Sequence, residues 1–249
     1  NPKSVTGGWL RSPRKIKTSF RVGTGERILV REANLHNLKG LNVSFPVGCL
    51  TSVTGVSGSG KSTLVFDILA KGNKNEKYGE VVGTEFFDNI ITVEQSPLSR
   101  MRRSNAATYT GLYTEIRKLF GDLPDARKQG LEAKHFSFNT GSGRCETCEG
   151  LGFVTSNMLF FQDIEVVCPD CGGKRFKDEV LNVKYTGYNI NDVLDMSVEE
   201  ALDLLKYNKK AVAILELLCE AGLGYLQLGQ SITTLSGGEG QRLKLSKDL

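Results

Sequence analysis

No run of apolar residues in this 249-residue sequence approaches the roughly 20 needed to cross a bilayer as a helix, so no membrane partner is expected. The N-terminus lacks the apolar segment that opens a secretory signal. Acidic residues are missing from the first 25 positions, which hold Lys3, Arg11, Arg14, Lys15, Lys17 and Arg21; such a stretch reads as a solvated linker or as a basic arm near a polyanion. Cysteine is scarce and unevenly placed. Of six, four fall in two C-x-x-C pairs, while Cys49 and Cys219 stand alone. Without a secretory signal, that pattern points to metal rather than disulfides. Asn1 is not an initiator methionine, and the chain is expected to be a piece of a longer protein. Present in ordinary amounts are hydrophobic (39%) and charged (24%) residues, enough for one large domain or two ordinary ones with nothing to suggest disorder. A formal charge of +4 decides nothing by itself.

The stretch Gly55, Val56, Ser57, Gly58, Ser59, Gly60, Lys61, Ser62, Thr63 reads G-x-x-x-x-G-K-[ST], the phosphate-cradling loop of nucleoside-triphosphate-binding proteins. Glycines there let successive backbone N–H groups close on phosphate oxygens where a side chain would block the approach. The helix that follows presents its positive end to the same anion. Lys61 is positioned for the β- and γ-phosphates and the Ser62 hydroxyl for Mg²⁺. The run Leu50–Thr54 is expected to enter the loop as a strand, and Leu64–Leu69 to leave it as a helix.

The apolar Ile28–Val30 and the alternating Leu41–Phe45 predict two further strands, the second turned into the Leu50–Thr54 strand at Pro46 and Gly48. Such strands before a phosphate loop suggest an antiparallel flap joined to an α/β core. Asn89–Val93 reads as a buried strand delivering Glu94, Gln95, Ser96 and Pro97 at its end, where polar residues can reach a ligand. A basic cluster, Arg100 to Asn105, follows. Tyr109–Phe120 has helical spacing with Leu112, Ile116 and Leu119 on one face. Leu181–Tyr185 alternates as a strand; Ser197–Glu200 opens a helix to about Lys206; and a further helix from about Lys209 to Ala221 is closed by Gly222.

Cys145-x-x-Cys148 and Cys168-x-x-Cys171 are separated by nineteen residues, within the C-x₂-C-x₁₅₋₂₀-C-x₂-C spacing of tetrahedral Zn²⁺ sites. Four protein ligands fill a structural rather than a catalytic coordination sphere. Glycines after each pair (Gly150, Gly152, Gly172, Gly173) let the backbone wrap the metal and point N–H groups at sulfur. The intervening Phe153–Met158 and Ile164–Val167 are expected as arms of a hairpin. Its tip, Leu159 to Asp163, carries Phe160 and Phe161, which either pack inside the protein or meet a partner. Lys174, Arg175 and Lys177 follow and could serve a phosphate backbone.

Leu235-Ser236-Gly237-Gly238-Glu239 before a helical segment is a second backbone N–H anion site. Downstream of the phosphate loop, with Gln95 between them, it resembles the signature motif of ABC-type ATPases, in which the signature of one half closes over ATP held by another. By that resemblance Gln95 is the glutamine that contacts Mg²⁺ and the attacking water. Between Gln95 and Leu235 lie 139 residues holding the cysteine pairs, an arrangement that resembles the UvrA family, damage-sensing ATPases of bacterial nucleotide excision repair. Gln95-Ser96-Pro97, Arg103 to Gly111, Phe136-Ser137-Phe138-Asn139, Gly143 to Cys148, Val193 to Leu202 and Gly222 to Gln230 carry it, from about Glu26 to the end. The match is to the second, C-terminal nucleotide-binding half.

The resemblance implies an α/β fold: an ABC-type P-loop core (26–97) with an antiparallel β flap, then a mainly helical signature domain (98–235) carrying an inserted four-cysteine zinc hairpin at about 136–177, and a signature helix (236–249). It implies ATP, Mg²⁺ and Zn²⁺, damaged double-stranded DNA, the other nucleotide-binding half, a homodimer of the full-length protein, UvrB and a cytoplasmic setting. Arg100, Arg102, Arg103, Lys174 and Arg175 are the basic candidates for DNA. Three departures from the family pattern stand out. Leu98 to Arg103 replaces a more usual Gly-Arg-Thr-Pro-Arg, and the hairpin tip is this chain's own. The sequence also stops ten residues after Glu239, before the apolar strand ending in Asp-Glu and the switch histidine; neither His36 nor His135 takes that place. The fragment alone is therefore expected to hydrolyse ATP hardly at all. For the adenine, Phe20 and His36 are candidates. The alternatives are a UvrA paralogue for resistance to DNA-binding drugs and, of another class, a zinc-hairpin protein-interaction module.

Overall fold

The structure is a computed structural model that describes residues 4–11, 23–71, 77–93, 103–156 and 164–249. The chain divides into two compact units, Asn1–Thr92 and Val93–Leu249.

The first unit opens with helix α1 (Val5–Arg11) within the basic N-terminal stretch. Its sheet has the order β2-β1-β3, built from β1 (Arg27–Ala33), β2 (Leu41–Pro46) and β3 (Glu80–Val82), antiparallel throughout. The two strands expected before the loop therefore form and pair, Ile28 opposite Phe45 and Val30 opposite Val43. Glu32, at φ 49°, marks a bulge between Val30 and Ala33, and its N–H is taken by Asn42 Oδ1 at 3.0 Å. Val30, Ala33, Phe45 and Val81 from the sheet bury against Leu64 and Ile68 of the helix after the phosphate loop. That helix, Thr63–Leu69, is wound with π spacing: the Ala70 N–H reaches back five residues to Val65 O at 2.9 Å.

Two strand expectations fail here. Leu50–Thr54 and Asn89–Val93 have no ladder partner among the described residues. Neither is buried: Leu50 is fully exposed, and Ile90 and Ile91 are nearly half exposed. An apolar run supplies the propensity for a strand, but the strand exists only where a neighbour takes its N–H and C=O groups.

The second unit is mainly helical. It runs α2 (Ala106–Tyr109), α3 (Leu112–Asp122), α4 (Pro124–Lys128), the hairpin β4 (Phe153–Ser156) with β5 (Ile164–Val167), then α5 (Asp178–Leu181), α6 (Ile190–Asp195), α7 (Val198–Leu204), α8 (Lys209–Glu220) and α9 (Gly237–Asp248). Gly111, at φ 81°, splits the single helix expected over Tyr109–Phe120 into α2 and α3. The expected strand at Leu181–Tyr185 is also absent: Leu181 closes α5 and Tyr185 pairs with Tyr188 across a turn. Short-range alternation here reflects a buried Val183 between exposed neighbours.

The core of this unit lies where α3, α7, α8 and α9 meet, filled by Leu112, Ile116, Phe120, Leu215, Leu218 and Leu243. Ala211, Leu215 and Leu218 recur at helical spacing on the buried face of α8. An aromatic group extends this core toward the cysteines. Phe120 and Phe136 are tilted at 5.6 Å, Tyr113 and Phe138 at 4.9 Å, and Phe138 meets Phe176 edge-on at 6.3 Å. The buried Tyr113 hydroxyl donates to Phe136 O at 2.7 Å, and burial raises its pKa far above the usual phenol.

Candidate phosphate loop, cysteine cluster and signature cap

In the first unit the loop Gly55–Thr63 lies on the surface between the Leu50–Thr54 segment and its helix. Gly58 and Gly60 take φ 78° and 93°, backbone that other residues enter at a cost. A Cβ on Gly60 would also stand 2.8 Å from Leu38 Cδ2. Lys61 Nζ curls over the loop, donating to Gly55 O at 2.9 Å and Val56 O at 2.7 Å. An ammonium held at the centre of the loop by two carbonyls is a point charge ready for phosphate oxygens. Ser62 sits at the N-cap of the helix, yet its side chain makes no capping bond, which leaves the hydroxyl free of that duty. Asn37, in the β1–β2 turn, donates from Nδ2 to Gly58 O at 2.7 Å. Sequence reading gave Asn37 no role; a polar residue in a turn carries no signal of its own.

The cysteines come together as their spacing demands. The four Sγ atoms of Cys145, Cys148, Cys168 and Cys171 lie within 4.8 Å of one another, with Cys145 to Cys168 at 3.9 Å and Cys148 to Cys171 at 3.6 Å. A disulfide needs about 2.05 Å. A regular tetrahedron with Zn–S bonds of about 2.3 Å has edges of roughly 3.8 Å, and four thiolates are a zinc donor set. The residues present thus fit the metal. Hairpin arms β4 and β5 pair Phe153 with Val167 and Ser156 with Ile164, as expected from the sequence. The Gly152 N–H points at Cys148 Sγ at 3.3 Å, a bond that stabilises thiolate charge. Thr147 and Asp170 tie the two knuckles by a side-chain hydrogen bond. Backbone N–H groups, first that of Cys171, pull the Cys168 thiol down to about 7, whereas burial pushes Cys145 up and Cys171 up to about 12. Apart from the cysteines, Val154 is the sole apolar neighbour packed on this cluster among the described residues, so a metal here supplies cohesion that hydrophobic packing does not.

The signature residues cap α9. Ser236 is its N-cap: its hydroxyl accepts from the Glu239 N–H at 3.3 Å and donates to Glu239 Oε2 at 2.9 Å, while the Ser236 N–H donates to the same oxygen at 2.8 Å. Gly237 and Gly238 have nothing within 4 Å of a Cβ position, leaving their surface open. Tyr225 donates to Glu239 Oε1 at 2.7 Å, and Arg242 donates to Ala221 O and Gly222 O at 3.1 and 2.8 Å. These two anchors fix the start of α9 to the turn after α8, and neither was foreseen from the sequence. Gly222, at φ 71°, closes α8 as expected.

Of the basic candidates, Arg103 and Arg175 are brought to one cavity of about 290 Å³. Arg103 pairs with Glu149 at 3.0 Å, and the Arg175 guanidinium lies over the Phe138 ring at 5.6 Å. Lys174 is exposed beside the second cysteine pair. Gln95, Arg100, Arg102 and the hairpin tip with Phe160 and Phe161 lie outside the described residues, as does Phe20; His36 is exposed in the β1–β2 turn.

Among known proteins, UvrABC system protein A of Xylella fastidiosa is 47% identical over 100% of this chain and 27% of its own length. The protein of the same name from Thermus thermophilus is 45% identical, again over 100% of this chain and 27% of its own. The crystal structure of UvrA2 from Deinococcus radiodurans superposes with a TM-score of 0.87 at 43% identity, covering 100% of this chain and 31% of that one. The chain thus spans about a quarter of the length of the curated relatives it matches. The ABC transporter family matches residues 38–249, which takes in the phosphate loop, the cysteine cluster and the signature cap, and the chain belongs to that family.

Proposed function

We propose that this chain is an ATP-binding half of a UvrA-like protein that recognises damaged DNA in nucleotide excision repair, with ATP gating its grip on the duplex. The observation that carries this reading is that the glycine-rich loop Gly55–Thr63, the four clustered cysteines and the Ser236 helix cap fall in one stretch that aligns from end to end with UvrABC system protein A. ATP with Mg²⁺ would be held by Gly55–Thr63, with Lys61 on the β- and γ-phosphates, Ser62 on the metal and Gln95 on the metal and attacking water. Ser236, Gly237, Gly238 and Glu239 would close the ATP site of another half. That makes nucleotide a latch between halves, and hydrolysis the step that resets DNA binding. A zinc ion in the cysteine cluster would hold the hairpin arms in place, supplying structure rather than chemistry.

Contacts to DNA would fall on phosphates and on duplex shape, as recognition of distortion rather than sequence requires. The other half, a second copy of the full-length protein, UvrB and a cytoplasmic setting belong to the same proposal. Among the described residues no helix is long and apolar enough to cross a membrane. The test is ATP-dependent duplex binding by the full-length protein with intact Lys61 and with Lys61→Ala. Nucleotide is expected to change duplex affinity in the first and not in the second; equal, nucleotide-blind binding by both would refute the assignment.

A further inference from the structure

The four clustered cysteines are not equally sheltered. Cys145, Cys148 and Cys168 are buried, at 6%, 3% and 0% exposure, whereas Cys171 stands partly open to solvent. We propose that Cys171 is a modification site, the thiolate at which a peroxide enters the zinc cluster, and that Cys148 supplies the sulfur that closes a disulfide with it. The inference rests on the reading of the cluster as a zinc site and adds to it a direction of attack.

The packing of the two knuckles explains the asymmetry. The first, Cys145 to Cys148, lies against the helical core. A Cβ on Gly150, just after it, would collide with Phe138 O, and one on Gly143, just before it, with His135 O. Phe138 is itself buried against Tyr113 and Phe176. Backbone that close leaves no approach to Cys148 from the core side. The second knuckle has no such cover. Pro169, Asp170, Gly172 and Lys174 are all exposed, and a Cβ on Gly172 would meet nothing within 4 Å. Every residue of β5, the arm that leads into it, is exposed as well.

Among four thiolates held by one metal, access decides which is oxidised first. The Cys171 sulfur attacks one oxygen of hydrogen peroxide; an S–O bond forms as the O–O bond breaks, and the departing hydroxide is protonated to water. The sulfenic acid left on Cys171 has Cys148 Sγ beside it at 3.6 Å, nearer than the 3.9 Å of the other contact between knuckles, Cys145 to Cys168. The Cys148 thiolate attacks the Cys171 sulfur, the S–S bond forms, and the oxygen leaves as a second hydroxide that is also protonated. Two electrons pass from the two thiolates to the peroxide, and two protons from solvent complete two waters.

Only Cys145 and Cys168 then remain as donors, too few for a four-coordinate site. Among the described residues Val154 is the one other apolar side chain packed on the cluster, so little hydrophobic packing replaces the lost metal. The first knuckle stays docked through Glu149, which pairs with Arg103 at 3.0 Å and Arg144 at 3.5 Å, and the new bond keeps Cys171 beside it. Loosening therefore falls on Cys168 and the β4–β5 arms, while the α3–α8 core, built from other side chains, is untouched. A thiol reductant with zinc restores the cluster without refolding that core.

The test treats the zinc-loaded chain with hydrogen peroxide. Zinc release is followed with a chromophoric chelator, and each cysteine by timed alkylation and peptide mass spectrometry, with Cys49 and Cys219 as free-thiol references. Cys171 is expected to be modified at least about fivefold faster than Cys145, Cys148 or Cys168. Zinc should leave in step with a Cys148–Cys171 crosslinked peptide and return on reduction. Cys171→His, whose imidazole can take the same coordination place, is expected to slow peroxide-driven zinc release at least about fivefold; should it take up no zinc, the mapping on the parent chain decides. Equal modification of the four cysteines, or zinc release with a disulfide inside one C-x-x-C pair, would overturn the proposal and leave the zinc reading intact. A parent chain that binds no zinc at all would end both.

Discussion

Tyr225 donates its phenolic hydrogen bond to Glu239 at 2.7 Å, fixing the carboxylate that also accepts from the N–H and hydroxyl of Ser236. The signature serine is thus held by a carboxylate that is itself held from outside the helix. Tyr225→Phe should leave the fold intact but loosen the first turn of α9, read as faster amide exchange at Gly237 to Glu239. Ser236→Ala removes the cap itself and is expected to cost about 0.5–2 kcal/mol of stability, measured by denaturant unfolding. Equal exchange in Tyr225→Phe and the parent would show that the phenol is not an anchor.

The same carboxylate gives a pH dependence. The hydrogen bond from Tyr225, followed by those from Ser236, holds the Glu239 carboxyl below the ordinary 4.5; the Ser197 N–H and hydroxyl do the same for Glu200 at the start of α7. A carboxyl whose folded pKa is depressed contributes stability above its unfolded value, and that contribution is lost as pH falls through the folded one. Melting temperature should therefore decline as pH drops below about 4.5. Glu239→Gln combined with Glu200→Gln should flatten that decline. An unchanged acid limb in the double variant would remove the two caps as its cause.

Zinc is a separate matter. Purified chain should carry one zinc, and Cys148→Ser should lose it, since three thiolates and a hydroxyl make a poorer donor set. The damage is expected to centre on residues 143–177, because the α3–α8 core is built from other side chains. Elemental analysis with circular dichroism in a chelator checks this; well under one zinc per chain with the β4–β5 module unaltered would contradict it.

At the phosphate loop, Lys61→Ala should reduce ATP affinity at least about tenfold, about 1.4 kcal/mol. Asn37→Ala removes the tether to Gly58 O and should weaken ATP by roughly two- to tenfold through loss of one hydrogen bond, about 0.5–1.5 kcal/mol. The 249-residue polypeptide, tested as such, is expected to bind ATP weakly and hydrolyse it hardly at all; nucleotide titration and phosphate release measure both. Robust turnover abolished by Lys61→Ala would reverse the latter expectation.

What could be read from residues alone was whatever local spacing encodes. The cysteine pairs, the hairpin arms around them, the Ser197 cap and the α8 stop at Gly222 are set within a few residues, and the structure holds them where the spacing placed them. Misread segments depended on distant partners. Leu50–Thr54 and Asn89–Val93 have the composition of buried strands, but burial belongs to the neighbour and not to the run. Asn37, Tyr225 and Arg242 went unassigned for a similar reason: each acts on a residue 14 to 21 positions away. Arg103 and Arg175 were chosen as charges; that they share one cavity with Asn105 is a property of the fold.

The most direct measurement is the affinity of the full-length protein for a duplex bearing one bulky lesion and for the same duplex intact, with and without ATP, at about 50 and 200 mM salt. A damage-recognising ATPase should favour the lesion, change that preference with ATP, and lose the ATP effect in Lys61→Ala, while overall affinity falls with salt in both duplexes. Equal binding to the two duplexes, indifferent to nucleotide, would mean that the phosphate loop and the cysteine module serve some other end.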